Sequence, residues 1–182
     1  MSPTQRLGKM GRFEIGSQAF LFNAGVLNAW VTMIRKAAIN DVVTIHELLA
    51  HYAAREELLP RPRSELYDHL RDFSVFEDAA GSLLGCCALA FCWKDLAEIR
   101  SLAVHPDHTG KGIGSALVEE AIEEAVRFEI EKLFALTYRP AFFAKFAFTR
   151  IDRNDLPIKI WGACLNCVKF PNCDEIAMMR NL

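Results

Sequence analysis

The sequence holds no apolar run long enough to cross a bilayer, and its basic residues do not outnumber its acids. A membrane-spanning helix needs about 20 consecutive apolar residues, so no membrane role is expected. Lys and Arg total 21 against 23 Asp and Glu, a formal net charge of −2. Nucleic-acid binding needs a basic stripe, and no nucleic-acid partner is expected. There is no internal repeat and no low-complexity tract. The N-terminal stretch lacks a sustained apolar core followed by a small-residue cleavage site, which predicts a reducing, cytoplasmic setting. There the six cysteines, at positions 86, 87, 92, 164, 167 and 173, are buried apolar residues, metal ligands or redox thiols rather than structural disulfides.

What is present is enough for one domain. The chain has 182 residues and is 52% hydrophobic, so a core can be buried. Residues 1–32 carry scattered glycines and no clear period. They read as an N-terminal extension, either poorly ordered or the result of an upstream start codon; the rival reading is an added element covering a partner subunit. Residues 33–182 read as the domain proper, with a Cys-containing C-terminal segment at 156–182. From Ile34 the pattern alternates. Ile34–Ala37 predicts a strand in which Arg35 and Lys36 are surface cations. Asn40 or Asp41 caps a helix to about Ala54, with Val42, Ile45, Leu48 and Leu49 inward. Pro60 and Pro62 mark a loop, and Ser64 caps a second helix with Leu66, Tyr67 and Leu70 inward. Strands are expected at Phe73–Glu77, Leu83–Trp93, Ala97–Val104 and Lys132–Thr137, with a turn at Asp78–Ser82. Gly112–Phe128 predicts an amphipathic helix burying Ile113, Leu117, Ala121, Ala125 and Phe128. Ala141–Phe146 predicts a short helix. Helices alternating with an antiparallel meander imply an α/β (α+β) fold on a mixed sheet.

The sharpest local feature runs from Val104 to Ser115. An apolar strand ends at Val104, Pro106 and Asp107 turn the chain, and Gly110, Gly112 and Gly114 lead into a helix. Glycines let backbone N–H groups crowd around an anion. A helix start leaves four N–H donors unpaired under a favourable dipole. A pyrophosphate suits that arrangement. The P-loop requires Ser or Thr after the lysine, but Lys111 precedes Gly112. The Rossmann fingerprint requires another spacing and an acid ending the next strand, which Lys132–Thr137 does not supply.

Glu98-Ile-Arg-Ser-Leu-Ala-Val-His-Pro-Asp, followed by Gly110-Lys-Gly-Ile-Gly-Ser-Ala-Leu-Val, resembles the central motif of the Gcn5-related N-acetyltransferase (GNAT) superfamily. Ala141-Phe-Phe-Ala-Lys-Phe-Ala-Phe resembles its closing segment, in the expected order. Together they cover about residues 34–150. The resemblance implies a mostly antiparallel mixed sheet flanked by helices, with splayed central strands holding acetyl-CoA. It implies that Leu102, Ala103 and Val104 pair with the pantetheine arm. Thr109, Gly110, Lys111, Gly112, Ile113, Gly114 and Ser115 would then hold the pyrophosphate, with Phe142 of the closing segment beside them. Thr109 stands where the family usually has Gln or Arg, and Ala147 where it has Gly. Neither change removes a backbone donor.

Acetyl transfer to an amine needs a group to take the amine's proton. The resemblance places a general base at Glu98. The alternative is that Glu98 pairs with a neighbouring cation on the strand. Many members have Tyr at the position of Phe143, which donates no proton. Tyr138, just past the Lys132–Thr137 strand, is the candidate acid, with solvent as the alternative. The tail from Leu156 to Trp161 and from Cys164 to Met178, with Leu58-Leu-Pro-Arg61, resembles the short, stand-alone bacterial N-acetylglutamate synthase group. That resemblance implies an amino-acid acceptor, L-glutamate, and a first step toward arginine. Carboxylates favour guanidinium donors. Arg61 and Arg63, in the loop bordering the acceptor site, are candidates, as is Arg100, which shares strand parity with Glu98 unless a bulge intervenes. Lys159 is weaker. Cys164, Cys167 and Cys173 supply three thiolates to a metal in one reading; the preferred reading is reduced, small side chains with no metal. A homodimer stays open, as do another amine acceptor and a non-catalytic acyl-CoA-sensing or Cys-metal module.

Overall fold

The computed structural model describes residues 33–157, 169 and 172–182. The expectations for residues 1–32, for Lys159 and for Cys164 and Cys167 lie outside the described residues. The elements are β1 (Ile34–Lys36), α1 (Val42–Ala53), α2 (Arg63–Asp68), β2 (Phe73–Glu77), β3 (Leu83–Phe91), β4 (Leu96–Val104), α3 (Ile113–Arg127), β5 (Lys132–Thr137), α4 (Pro140–Ala144), β6 (Thr149–Arg150) and β7 (Ile176–Asn181). They build one seven-stranded sheet in the order β1-β2-β3-β4-β5-β7-β6. Every neighbouring pair is antiparallel except β4 and β5, which are parallel. A mixed sheet of mostly antiparallel strands, flanked by helices, is the expected fold class.

Alternation along the strands sends side chains to two layers. On one face Leu89, Ile99, Leu133 and Ala135 pack under Ile113, Leu117, Val118, Ala121 and Ala125 of α3, and under Phe143 and Phe148 around α4. On the other face Val75, Cys86, Ala88 and Ala103 meet Val42, Ile45, Leu48 and Leu49 of α1 and Leu66 of α2. A third cluster (Leu96, Phe134, Leu156 and Ala177) lies toward β7. Helix α3 seats closely on β3: a Cβ on Gly85 would lie 3.0 Å from both Ile113 and Leu117 side-chain atoms.

The central constraint is where two strands part. β4 and β5 pair only from Leu96↔Lys132 to Glu98↔Phe134. Just beyond, β4 carries a bulge: Ser101 and Leu102 together oppose Cys87 of β3, because Cys86 pairs Ala103 while Ala88 pairs Arg100. Ser101 takes φ 53° to make it. A bulge bends and further twists its strand, so the C-terminal half of β4 leaves β5 and opens a cleft. The bulge follows Arg100, so Glu98 and Arg100 keep the same face.

Several local expectations are corrected. Tyr67 is 48% exposed rather than inward, because α2 spans only six residues and buries Leu66 alone. Pro62, not Ser64, precedes that helix. Asp41 precedes α1 but does not cap it with its side chain; its carboxylate turns back to accept from the Ala38 N–H and to pair with Arg35 at 2.6 Å. Lys36, although at the surface, reaches the buried Glu124 of α3 at 2.6 Å. β3 ends at Phe91 rather than Trp93. Phe128 is 59% exposed, because it lies past the last turn of α3 and its ring meets Phe91 instead.

Three helix ends share one device. Glu57 N–H reaches Tyr52 O and Glu56 N–H reaches Ala53 O after α1. Ile130 reaches Ala125 and Glu129 reaches Val126 after α3. Phe148 reaches Phe143 and Ala147 reaches Ala144 after α4. These are Schellman ends, and Glu56, Glu129 and Ala147 hold their left-handed residue at φ 58°, 56° and 60°. Glycine takes that conformation without a Cβ penalty. Ala147→Gly is therefore expected to stabilise the fold by about 0.5–1 kcal/mol, the relief of strain outweighing the added freedom of the unfolded chain. Equilibrium urea unfolding of the two proteins checks it.

Candidate active site

The anion loop follows directly from β4. His105 to Thr109 make a tight turn, with the Thr109 hydroxyl donating to Pro106 O at 3.1 Å. Gly110 and Gly112 take φ 74° and 88°, a region that strains any residue with a Cβ. Gly112 immediately precedes α3, whose first N–H groups are free of helix partners. Space for a ligand exists there: a Cβ on Gly110 or Gly112 would meet nothing within 4 Å. Gly114 is different, since its Cβ position lies 3.5 Å from Val104 and 3.7 Å from Phe142. Val104, Gly114 and Phe142 thus form one packed floor where the strand passes into the loop. Thr109, Lys111 and Ser115 are carried by the same turn, and Ile113 is buried as the first core residue of α3.

Beside the loop, β4 from Ile99 onward pairs with β3 but not with β5. The edge from Leu102 to Val104 therefore faces the cleft. Tyr52 of α1 donates its hydroxyl to Val104 O at 2.6 Å, which ties the helix on one face to the end of the splayed strand.

Glu98 stands at the last β4–β5 pair, on the face opposite Ile99. Accessible surface leaves it partly open, yet burial dominates its electrostatics and pushes its carboxyl above the usual carboxylate range. The charges of Arg100 and Arg61 oppose that shift and the charge of Glu175 adds to it. The charges of Arg61 and Arg100 thus both reach Glu98, which puts the three candidates in one neighbourhood. No ion pair joins them. Arg61 bonds Glu65, and Arg100 reaches Asp72 at 3.4 Å. Each guanidinium retains further donors. Arg63 is the exposed first residue of α2, beside these groups in sequence but not gathered with them around Glu98.

Tyr138 shares the face of Phe134 and Leu136, the face of Glu98. Its hydroxyl donates to Asp174 at 3.0 Å, and the Lys169 ammonium lies 4.7 Å from its ring centroid. Burial raises its pKa, with Lys169 opposing and Asp174 assisting. Phe143 is buried in the core with Phe148 and faces no cleft.

Sequence reasoning missed two features of this region. Glu175 precedes β7, and its charge reaches Glu98. That strand left no alternating signal, since its apolar residues from Ile176 to Met179 run together. Arg139, just past β5, pairs with Glu57 in the loop after α1 at 2.6 Å and so links that loop to the β5 side. Cys86 and Cys87 are core residues, and burial pushes the Cys86 thiol up to about 12. Among the described residues no group of three or more His, Cys, Asp or Glu is placed to hold a metal. Among the same residues no helix is long and apolar enough to cross a membrane.

A glycine turn at a helix start, a strand edge left unpaired beyond a bulge and a carboxylate at the point of parting lie along one cleft. The family model described as the acetyltransferase (GNAT) family matches residues 42–148, and the chain belongs to that family of acyltransferases. An uncharacterized N-acetyltransferase of Chlorobaculum tepidum is 42% identical over 153 residues, 83% of this chain and 97% of that protein. The amino-acid acetyltransferase of Mycobacterium tuberculosis is 36% identical over 131 residues, 71% of this chain and 75% of that protein. The crystal structure of N-acetylglutamate synthase from Neisseria gonorrhoeae, complexed with coenzyme A and N-acetyl-glutamate, superposes with a TM-score of 0.75 at 30% identity. That match covers 82% of this chain and 34% of the longer synthase.

The raised pKa of Glu98 has a sign for stability. Its folded pKa lies above the unfolded value, so protonated Glu98 favours the fold at low pH, and that contribution is lost as pH rises through the folded pKa. Gln at this position stays neutral. Glu98→Gln is expected to melt no lower than the parent at neutral pH, with the difference shrinking toward pH 4; calorimetry across that range measures it.

Proposed function

We propose that this chain is an acetyl-CoA-dependent N-acetyltransferase whose acceptor is the α-amine of L-glutamate. The observation that carries the reading is Glu98: a carboxylate without a direct ion pair among the described residues, kept above its ordinary pKa where β4 and β5 part. A base matched to its task needs such a pKa. The left-handed glycines before α3 and the open edge of Leu102–Val104 support a site for the pyrophosphate and the pantetheine arm. The complexes of the gonococcal synthase with coenzyme A and N-acetyl-glutamate support both cofactor and acceptor.

In this reading the acceptor arrives as an ammonium. Glu98, directly or through water, takes one proton, and the freed amine lone pair attacks the thioester carbonyl. A C–N bond forms, the C–S bond breaks, and the nitrogen gives up its second proton. One of the two protons ends on the departing thiolate, delivered by solvent or by Tyr138 once its bond to Asp174 is released. The balance is amide, CoA thiol and one proton to water. Arg61 and Arg100, with Arg63 at the mouth, supply guanidinium donors for the acceptor carboxylates.

A thiol-release assay with acetyl-CoA tests the reading against a panel of amino acids, polyamines and peptide N-termini. Turnover is expected with glutamate above all others; turnover only with a polyamine or peptide would sink the acceptor assignment. Arg61→Ala is expected to raise the KM for glutamate about 10- to 100-fold and leave that for acetyl-CoA nearly unchanged. Gly112→Ala, at φ 88°, reverses the pattern, raising the acetyl-CoA KM about 5- to 30-fold. Glu98→Gln is expected to lower kcat about 10²- to 10⁴-fold. The parent's kcat/KM is expected to fall on acidification with a midpoint above the ordinary carboxylate range.

A further inference from the structure

Glu175 is a half-buried carboxylate that no role above employs. Thr137 of β5 pairs with Ile176 of β7, so Glu175 sits just beyond the end of β5, beside Tyr138. Ile176 packs against the α3 side of the sheet and Ala177 into the opposite cluster. By alternation Glu175 shares the face of Ala177, which is also the face of Phe134 and Glu98. Its backbone is anchored: Arg153 donates to Glu175 O at 2.6 Å. Among the described residues its carboxylate accepts only from the Cys173 thiol, at 3.6 Å.

The groups facing these two carboxylates come from every neighbouring element. Around Glu98 they are Arg100 on its own strand, Arg61 from the loop before α2, and Glu175. Around Glu175 they are Cys173, Arg153, Lys169 and Asp174. Most of these cations are engaged elsewhere: Arg61 by Glu65, Arg100 by Asp72, Lys169 by Asp174, and Arg153 by a backbone carbonyl. Among the described residues neither Glu98 nor Glu175 has a salt bridge. The charge of Glu175 raises the proton affinity of the poorly solvated Glu98. Such a pair lacks a positive charge, and an ammonium supplies one.

We propose that Glu175 is an acceptor-binding and positioning residue: it holds the incoming ammonium between itself and Glu98, on the face of the sheet that the two carboxylates share, so that the site selects amines as well as carboxylates. The proposal rests on the reading of Glu98 as the base. It assigns the α-ammonium to the carboxylate pair and leaves the carboxylates of the acceptor to the arginines.

Glu175→Gln separates this role from a structural one. The KM for glutamate is expected to rise at least about 10-fold, the value of a lost charge-assisted hydrogen bond, with the KM for acetyl-CoA unchanged. Inhibition by glutarate, which carries both carboxylates and no amine, is expected to keep its constant. Removing a neighbouring negative charge eases ionisation of Glu98, so the acid limb of kcat/KM is expected to move to lower pH. A stationary glutamate KM, a stationary acid limb, or a glutarate constant that weakens in step would each overturn the proposal. If Glu175→Gln fails to fold, Glu175→Asp serves: it keeps the charge, withdraws it by one methylene, and is expected to raise the glutamate KM while leaving the limb nearly in place. An unchanged KM in that variant is equally fatal. Glu98→Gln is measured in parallel. If it retains full activity, the reading of the base has failed. If it is inactive while the Glu175 variants behave as the parent, only the present proposal has.

Discussion

The fold turns on a short length of parallel pairing. β4 and β5 hold together for three residue pairs and then part, because the bulge at Ser101 and Leu102 bends β4 toward β3. Everything chemical in the molecule is arranged about that point. The freed backbone edge lies above it, the glycine turn into α3 follows it, and Glu98 occupies the last paired position before it. Were β4 regular, its edge would continue along β5 and the sheet would have no interior opening. The strain of a serine at φ 53° is the local cost of making one.

Electrostatics then differentiates the two ends of the cleft. Near the loop, backbone N–H groups and a helix start provide diffuse positive potential suited to phosphates. At the other end, around Glu98, stand discrete charges of both signs. Arg61 and Arg100 are each held by a carboxylate of their own, which fixes the guanidinium planes and leaves donors to spare. Among the described residues Glu98 has no such partner, and burial, raising its pKa, outweighs the lowering by the charges of Arg100 and Arg61.

Much of this was legible in the sequence because it depends on local pattern. The helix from Ile113, the strands from Phe73 and Leu83, and the glycine turn each follow from spacing and residue type. The shared face of Glu98 and Arg100 follows from strand parity, since the bulge comes after Arg100. What escaped depended on distant partners or on chain ends. Phe128 fits the helical period yet falls one residue beyond the helix, where the turn throws its ring outward. Asp41 looks like a cap but turns to Arg35. β7 was missed, since its apolar residues from Ile176 to Met179 run together without apolar–polar alternation, and with it Glu175, whose position is set by the pairing of β7 with β5. The Arg139–Glu57 pair joins residues 82 apart in sequence, a separation no periodicity reports. The one-residue loss of register at Ser101 left no signature in residue type.

The left-handed end of α1 has a bearing on the acceptor loop. Glu56 fixes the direction in which the chain leaves the helix, through two backbone bonds and not through side chains. The segment that carries Arg61 therefore takes its heading from the helix behind it. Its course is a property of main-chain geometry, and its side chains are free to vary as recognition demands. The loop is in that sense detachable from the scaffold, its path inherited and its chemistry not.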